Sequence, residues 1–291
     1  MAVSLTPEEL VTHLDDGNLI SVLTLLLSPL SLLNIVFGFL AHISGGVLFL
    51  YDWMLTFPVE LDVVWSEKLR PLNVLYIIQR YMPFIDTIGI SFAVIFAKPI
   101  EPNTCSILYD TSAWMYITGI LLTEVVLTMR TWALWGKDIR LTIGLTIFFV
   151  CSWVPNFYIF HLFLDSQSYI ASPVPQIGCV ILGSEPILYL CWVILMVYEA
   201  VILTLMLIPG LAYFRSGNWS ALSTVVYRDG ITYYLFLFGL SAANLLTVLL
   251  LPHDLENLFI SYQRVMQTML TSRAILHMRS QARNVKVLQA I

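Results

Sequence analysis

The sequence predicts an all-α membrane protein: a seven-transmembrane helix bundle with its N-terminus outside and its C-terminus cytoplasmic. Three observations predict it. The chain of 291 residues is 58% hydrophobic and 11% charged, with a mean hydropathy of +0.83, whereas roughly a quarter of the residues of a soluble domain carry charge. Seven apolar runs have the length of roughly 20 residues that a helix needs to cross a hydrocarbon core of about 30 Å. Eleven of the fourteen lysines and arginines fall at alternate ends of those runs.

The runs lie near 33–57, 73–96, 112–134, 141–164, 187–211, 228–251 and 256–277. All are expected as helices, because an open sheet edge would leave unpaired backbone groups in lipid. Lys68 and Arg70 lie between spans one and two, Arg130, Lys137 and Arg140 border the connection between three and four, and Arg215 and Arg228 flank that between five and six. Arg273, Arg279, Arg283 and Lys286 follow the last span. Lys98 alone faces the other side, and Arg80 and Arg264 lie inside spans. The positive-inside rule makes the basic side cytoplasmic. It leaves outside an N-terminus that carries Glu8, Glu9, Asp15 and Asp16 and no basic residue.

Residues 19–50 form one uncharged run, about 48 Å long as a single helix. Two spans there would put the acidic N-terminus in the cytoplasm, so one span is expected, entered through an apolar segment that breaks at Pro29. The expected organisation is an extracytoplasmic tail and entry segment over 1–32, the helical domain over 33–278 and a cytoplasmic tail over 279–291. Pro209-Gly210 in span five suits helix termination.

Four cysteines allow three full pairings. Only Cys105 and Cys179 fall in extracytoplasmic loops, where the compartment is oxidising, and they are expected to form a disulfide. Cys151 and Cys191 read as small core residues in apolar helices.

An ionisable group in hydrocarbon costs several kcal/mol unless it faces protein, water or a partner. Arg80, Asp86, Glu124, Glu199 and Arg264 are such groups, and they form the expected intramembrane polar cluster. By depth, Arg80 lies about 10 Å and Glu124 about 15 Å above the inner ends of their spans, so the two can meet. Arg264 enters about 12 Å from the outside, near the levels of Asp86 and Glu199. Interhelical ion pairs, a ligand or ion site and a proton relay all fit this pattern. Asp52 and the Arg228-Asp229 pair lie closer to the interface and carry less weight.

Neither HExxH, GxSxG, a phosphate loop nor a CxxC pair occurs, and the five histidines lack ligand spacing, so catalysis, a cofactor and a metal are not expected. The four lysines sit at span ends or beyond, which disfavours a retinal Schiff base. No internal repeat of the kind that many transporters show is evident.

The order of local motifs is informative. Tyr51-Asp52-Trp53-Met54-Leu55-Thr56-Phe57, then Glu60-Leu61-Asp62-Val63-Val64-Trp65, then Arg80-Tyr81, resembles the signature of a basidiomycete fungal membrane family with domain of unknown function 6533. The signature lies near residues 45–90. Arg130-Thr131-Trp132-Ala133-Leu134-Trp135-Gly136-Lys137, Tyr198-Glu199-Ala200, Tyr227-Arg228-Asp229-Gly230 and Ser272-Arg273 with Arg279 are similar to the family's later landmarks. The resemblance implies a seven-helix integral membrane protein and no particular substrate. The segment 19–32 and Pro58, where that family tends to have an acidic residue, depart from it.

The expected function is that of a receptor-like or sensory protein of the plasma membrane. Its partners would be the lipid bilayer and a cytoplasmic signalling protein, with no nucleic acid and an unspecified ligand. Lys68, Arg70, Lys137, Arg140, Arg215 and Arg228 form the expected partner surface. A transporter or channel using the intramembrane charges, and a structural scaffold, are the alternatives. Span three ends in Met129-Arg130-Thr131 and span seven lacks an Asn-Pro pair, so the local marks of rhodopsin-like receptors are missing.

Overall fold

The computed structural model describes residues 29–66, 71–90, 102–171, 179–183, 187–216, 221–250 and 259–290. Residues 29–39, 71, 102, 168–171, 179–183, 211–216, 221–230 and 281–290 are described by their backbone alone. Seven α-helices make up the described bundle: α1 Pro29–Glu60, α2 Pro71–Pro83, α3 Pro102–Leu134, α4 Ile139–Asp165, α5 Leu188–Ser216, α6 Ala221–Leu250 and α7 Ile260–Ala290. A π-helical turn, Leu61–Trp65, extends α1, and a second, Phe84–Ile90, extends α2.

Helix boundaries follow local chemistry. Pro29, Pro71 and Pro102 open α1, α2 and α3, at the position where a missing N–H costs nothing. Helix α3 closes at Gly136, whose φ of 66° is the left-handed conformation that glycine adopts without a Cβ penalty. There Gly136 N–H donates to Ala133 O at 3.2 Å and Lys137 N–H to Trp132 O at 3.3 Å, satisfying carbonyls that the helix end exposes. Asp138 then caps α4 by accepting from the Arg140 backbone N–H at 2.9 Å. Pro209 does not end α5 as expected, since the helix runs on to Ser216. Helices in membranes tolerate proline because their neighbours can re-satisfy the freed carbonyl. The region expected as a tail beyond 278 is helical through Ala290.

One local departure from an all-α fold lies between α4 and α5. There β1 Ser168–Ala171 pairs antiparallel with β2 Cys179–Gly183. Tyr169 stands opposite Ile181 and Ala171 opposite Cys179, with an irregularity between Ser168 and Tyr169. Helix periodicity carries no signal for a hairpin this short.

Helices α3 and α7 are the hubs: α3 touches α2, α4, α5 and α7, while α7 touches α1, α2, α3 and α6. Packing among α3 to α6 is largely apolar, with Glu124, Glu199 and Ser241 buried within it. One cluster joins Ile117 and Ile120 to Trp153, Phe160, Trp192 and Leu195, and a second joins Leu127 and Leu145 to Tyr198, Ile202 and Leu237. The α1, α2 and α7 side is different, because its buried positions include Asp52, Glu60, Gln79, Arg80, Asp86, Gln263, Arg264 and Gln267.

The outer surface inverts the pattern of a soluble protein. Along α4, Ile139, Ile143, Ile147, Val150, Val154, Tyr158 and Leu162 are exposed at three- and four-residue spacing, which is one continuous face of a helix. Helices α3, α4, α5 and α6 each contain a stretch long and apolar enough to cross a bilayer. These helices make the chain a membrane-embedded protein.

Candidate functional site

The intramembrane charges expected as one cluster form three separate arrangements. The first joins α1, α2 and α7. Asp52, Thr56 and Glu60 recur every four residues on α1 and so share one face. Into that face reaches Arg80 of α2, whose Nε donates to Glu60 Oε2 at 2.6 Å. Its Nη2 donates to Thr56 Oγ1 and to Trp53 O, and its Nη1 lies 3.8 Å from Asp52 Oδ2. Glu60 also accepts from Tyr81 Oη at 2.9 Å and from Trp65 Nε1 at 3.1 Å. Trp65 follows Glu60 by five residues, a separation that suits the π turn between them. Arg273 of α7 closes the set, its Nε 2.6 Å from Asp52 Oδ1. Two acids and two arginines balance, and each buried charge has an opposite charge beside it, as burial requires.

The second arrangement is one ion pair. Asp86, in the π segment of α2, meets Arg264 of α7: Nε and Nη2 lie 3.1 Å and 3.0 Å from Asp86 Oδ2. Arg264 Nη1 donates to Thr268 Oγ1 at 2.6 Å, and Thr87 donates to Asp86 Oδ1 at 2.7 Å. The guanidinium lies flat on α3 at Gly119, where a Cβ would overlap it.

The third arrangement has no cation. Glu199 of α5 accepts from Ser241 of α6 at 2.9 Å. Ser241 in turn accepts from Gln263 of α7 at 2.8 Å, and Gln263 accepts from Asn244 of α6. Glu124 of α3 is fully buried, and neither of its carboxylate oxygens has a hydrogen-bond partner. Glu199 feels the charge of Glu124, and no cationic side chain bears on Glu124. Glu199 Oε2 and both polar atoms of the buried Gln267 are also unpartnered.

This geometry corrects two expected pairings. Arg80 pairs with Glu60 and Asp52 rather than Glu124, because α1 and its π turn carry Glu60 inward from the loop where the hydropathy pattern places it. Arg264 reaches Asp86 but not Glu199, which is engaged by α6. Sequence reading missed Glu60, Gln263, Gln267 and Ser241. The signal for the glutamines was available, since Gln263, Gln267 and Thr271 recur every four residues along α7.

Cys105 is fully buried and is not a free thiol, whereas Cys151 and Cys191 are free. Cys191 is buried as a core residue, but Cys151 is exposed on α4 and not in the core as expected. The side chain of Cys179 lies outside the described residues. Of the expected partner surface, Lys137 and Arg140 are exposed at the α3–α4 turn, and the Lys137 ammonium lies 5.7 Å over the Trp132 ring. Lys68 and Arg70 lie outside the described residues, as do the side chains of Arg215 and Arg228.

The signature residues Asp52, Trp53, Thr56, Glu60, Trp65, Arg80 and Tyr81 are thus one hydrogen-bonded unit. Residues 40–85 match a family of unknown function, DUF6533. No curated protein and no solved structure matches the chain. The matched segment runs from within α1 through its π turn and α2, and the hydrogen-bonded residues in it hold those two helices together. The later motif at 130–137 acts similarly. Thr131 meets Tyr234 of α6 at 3.2 Å, Trp132 donates to Thr142 of α4 at 2.7 Å, and Trp135 donates to Leu205 O of α5 at 2.9 Å. Among the described residues, no three His, Cys, Asp or Glu side chains come together as ligands of a metal ion.

Proposed function

We propose that the chain is a seven-span receptor-like or sensory protein, with its N-terminus outside, its basic face cytoplasmic and a cytoplasmic signalling protein as partner. The observation that carries this reading is the double anchoring of α7. Arg264 ties it to α2 at one level, and Arg273 ties it to α1 nine residues further along, about 13.5 Å deeper. Between those anchors lie Gln267 and Thr271, both with unpartnered polar atoms. A ligand engaging that interior biases how α7 sits, and α7 delivers the change to the basic end, which is the differential contact that signalling requires. Membrane location at the cell surface, a disulfide between Cys105 and Cys179, and a basidiomycete source belong to the same reading. The last is supported by the later motifs alone.

The test is crosslinking and affinity recovery of cytoplasmic partners from native membranes, with and without guanine nucleotide. The expected result is a G-protein α subunit that nucleotide releases. A second reading, transport, is favoured by the unpartnered Glu124 and Glu199, since uncompensated acids inside a bundle mark ion and proton pathways. Solute or proton flux into liposomes carrying the purified protein, with no partner recovered, would select it.

A further inference from the structure

Among the described residues, the buried acids of this bundle are matched by cations everywhere but at one place. Asp52 and Glu60 are matched by Arg80 and Arg273, and Asp86 is matched by Arg264. Glu124 and Glu199 are matched by no cationic side chain. We propose that Glu124 and Glu199, with the side-chain amide oxygen of Gln267, form a binding site for one hard cation between α3, α5 and α7.

The levels agree. Gly119 and Arg264 are in contact, so they mark the same depth on α3 and α7, two helices that both run antiparallel to α2. Glu124 is five residues further along α3, about 7.5 Å, and Gln267 is three further along α7, about 4.5 Å. Gln267 also follows Gln263 by one turn on the same face, and Gln263 is joined through Ser241 to Glu199. The carboxylates are therefore not a lone acidic pair, because a fully buried amide with neither polar atom partnered belongs to the same level. Four unpartnered oxygens result: both of Glu124, Oε2 of Glu199 and Oε1 of Gln267.

Such a donor set selects the ion class. Carboxylate and carbonyl oxygens suit alkali and alkaline-earth ions, whereas transition metals favour imidazole and thiolate. Two acids and one neutral amide also fall outside any grouping of three His, Cys, Asp or Glu ligands, in keeping with the absence of such a group among the described residues. A divalent ion neutralises both acids, and a monovalent ion neutralises one and leaves the other to a proton. The site is independent of the receptor reading: cation binding is measured on the isolated protein and can fail while a partner is still recovered, or the reverse.

The test uses the full chain purified in detergent, at constant ionic strength set with choline chloride. Melting temperature is followed while NaCl, KCl, MgCl2 or CaCl2 replaces choline, and saturable binding of 22Na+ and 45Ca2+ to the wild type is measured directly. The expected result is a saturable rise in Tm with one of these ions, lost in Glu124→Gln and weakened at least tenfold in Glu199→Gln and Gln267→Leu. In choline alone Glu124→Gln should melt no lower than the wild type, since it removes a buried charge that lacks a partner. A wild type that melts alike in all five salts and binds neither radiolabelled ion overturns the proposal. So does a cation response that persists undiminished in the glutamine variants. If those variants cannot be purified, the two measurements on the wild type decide.

Discussion

The guanidinium of Arg264 rests on the bare backbone of Gly119, and a methyl group at that position would overlap the guanidinium carbon. Arg264 cannot step aside freely, because Asp86 and Thr268 hold three of its nitrogen contacts. Gly119→Ala should therefore displace the arginine from its partner and lower stability by up to about 3 kcal/mol, the low end of what breaking a buried ion pair costs. Gly144→Ala is the control. It meets nothing within 4 Å on α4 and should be neutral or stabilising by about 0.5–1 kcal/mol. Thermal melts of the two purified variants compare them directly.

Arg80 and Glu60 are both fully buried, so removing Arg80 strands Glu60, and removing Glu60 leaves Arg80 only the longer 3.8 Å approach to Asp52. Arg80→Met and Glu60→Gln should each be strongly destabilising, with the arginine change costing about 3–5 kcal/mol. The double variant should be less damaged than the sum of the two, since neither charge then remains buried alone. Arg273→Ala should cost much less, about 1 kcal/mol or below, because its side chain is 47% exposed and water replaces part of what Asp52 supplied. A double-mutant cycle on melting temperature checks all of this, and additive losses for Arg80 and Glu60 would contradict the pairing.

Val150 lies near the middle of α4 and is 51% exposed. On a soluble protein Val150→Arg would be harmless, within about 0.5 kcal/mol. In a membrane it should raise the insertion cost of α4 by about 3 kcal/mol. Glycosylation-mapped insertion of α4 in microsomes distinguishes the two environments.

A non-reducing peptide map should recover Cys105 joined to Cys179, with Cys151 and Cys191 alkylated as free thiols. Cys105 is buried and is not free, and β2 opens at Cys179, which pairs with Ala171 of a strand that lies against α3. Recovery of alkylated Cys105 without prior reduction would contradict the bond.

Much of the bundle was legible because lipid enforces it. The apolar runs around 112–134, 141–164, 187–211 and 228–251 correspond to α3, α4, α5 and α6, and Gly136 marks the end of α3 as glycine punctuation should. What hydropathy could not show is which charge meets which. Arg80 and Glu124 have compatible depths, yet depth is one coordinate, and the angular placement of Glu60 depends on α1 continuing past Pro58 into a π turn. Helix α7 corresponds to the run around 256–277, but its role as a hub was not legible there. Like α3 it has four helix neighbours, its buried face includes Gln263, Arg264, Gln267 and Thr268, and its mean hydropathy understates its burial.

Orientation is decided by the two ends of α3. The helix runs over 33 residues from Pro102 to Leu134, about 50 Å, so if it crosses the bilayer its ends must face opposite compartments. Asn103 and Lys137 are both exposed and lie just inside the start and just past the end. In a background with Cys151 and Cys191 replaced by serine, Asn103→Cys should react with a membrane-impermeant maleimide on intact cells. Lys137→Cys should react only after permeabilisation. Lys137 is among the basic residues on the side that the positive-inside rule assigns to the cytoplasm, so the reverse pattern would invert the topology, and labelling of both positions from one side would remove α3 from the count of spans.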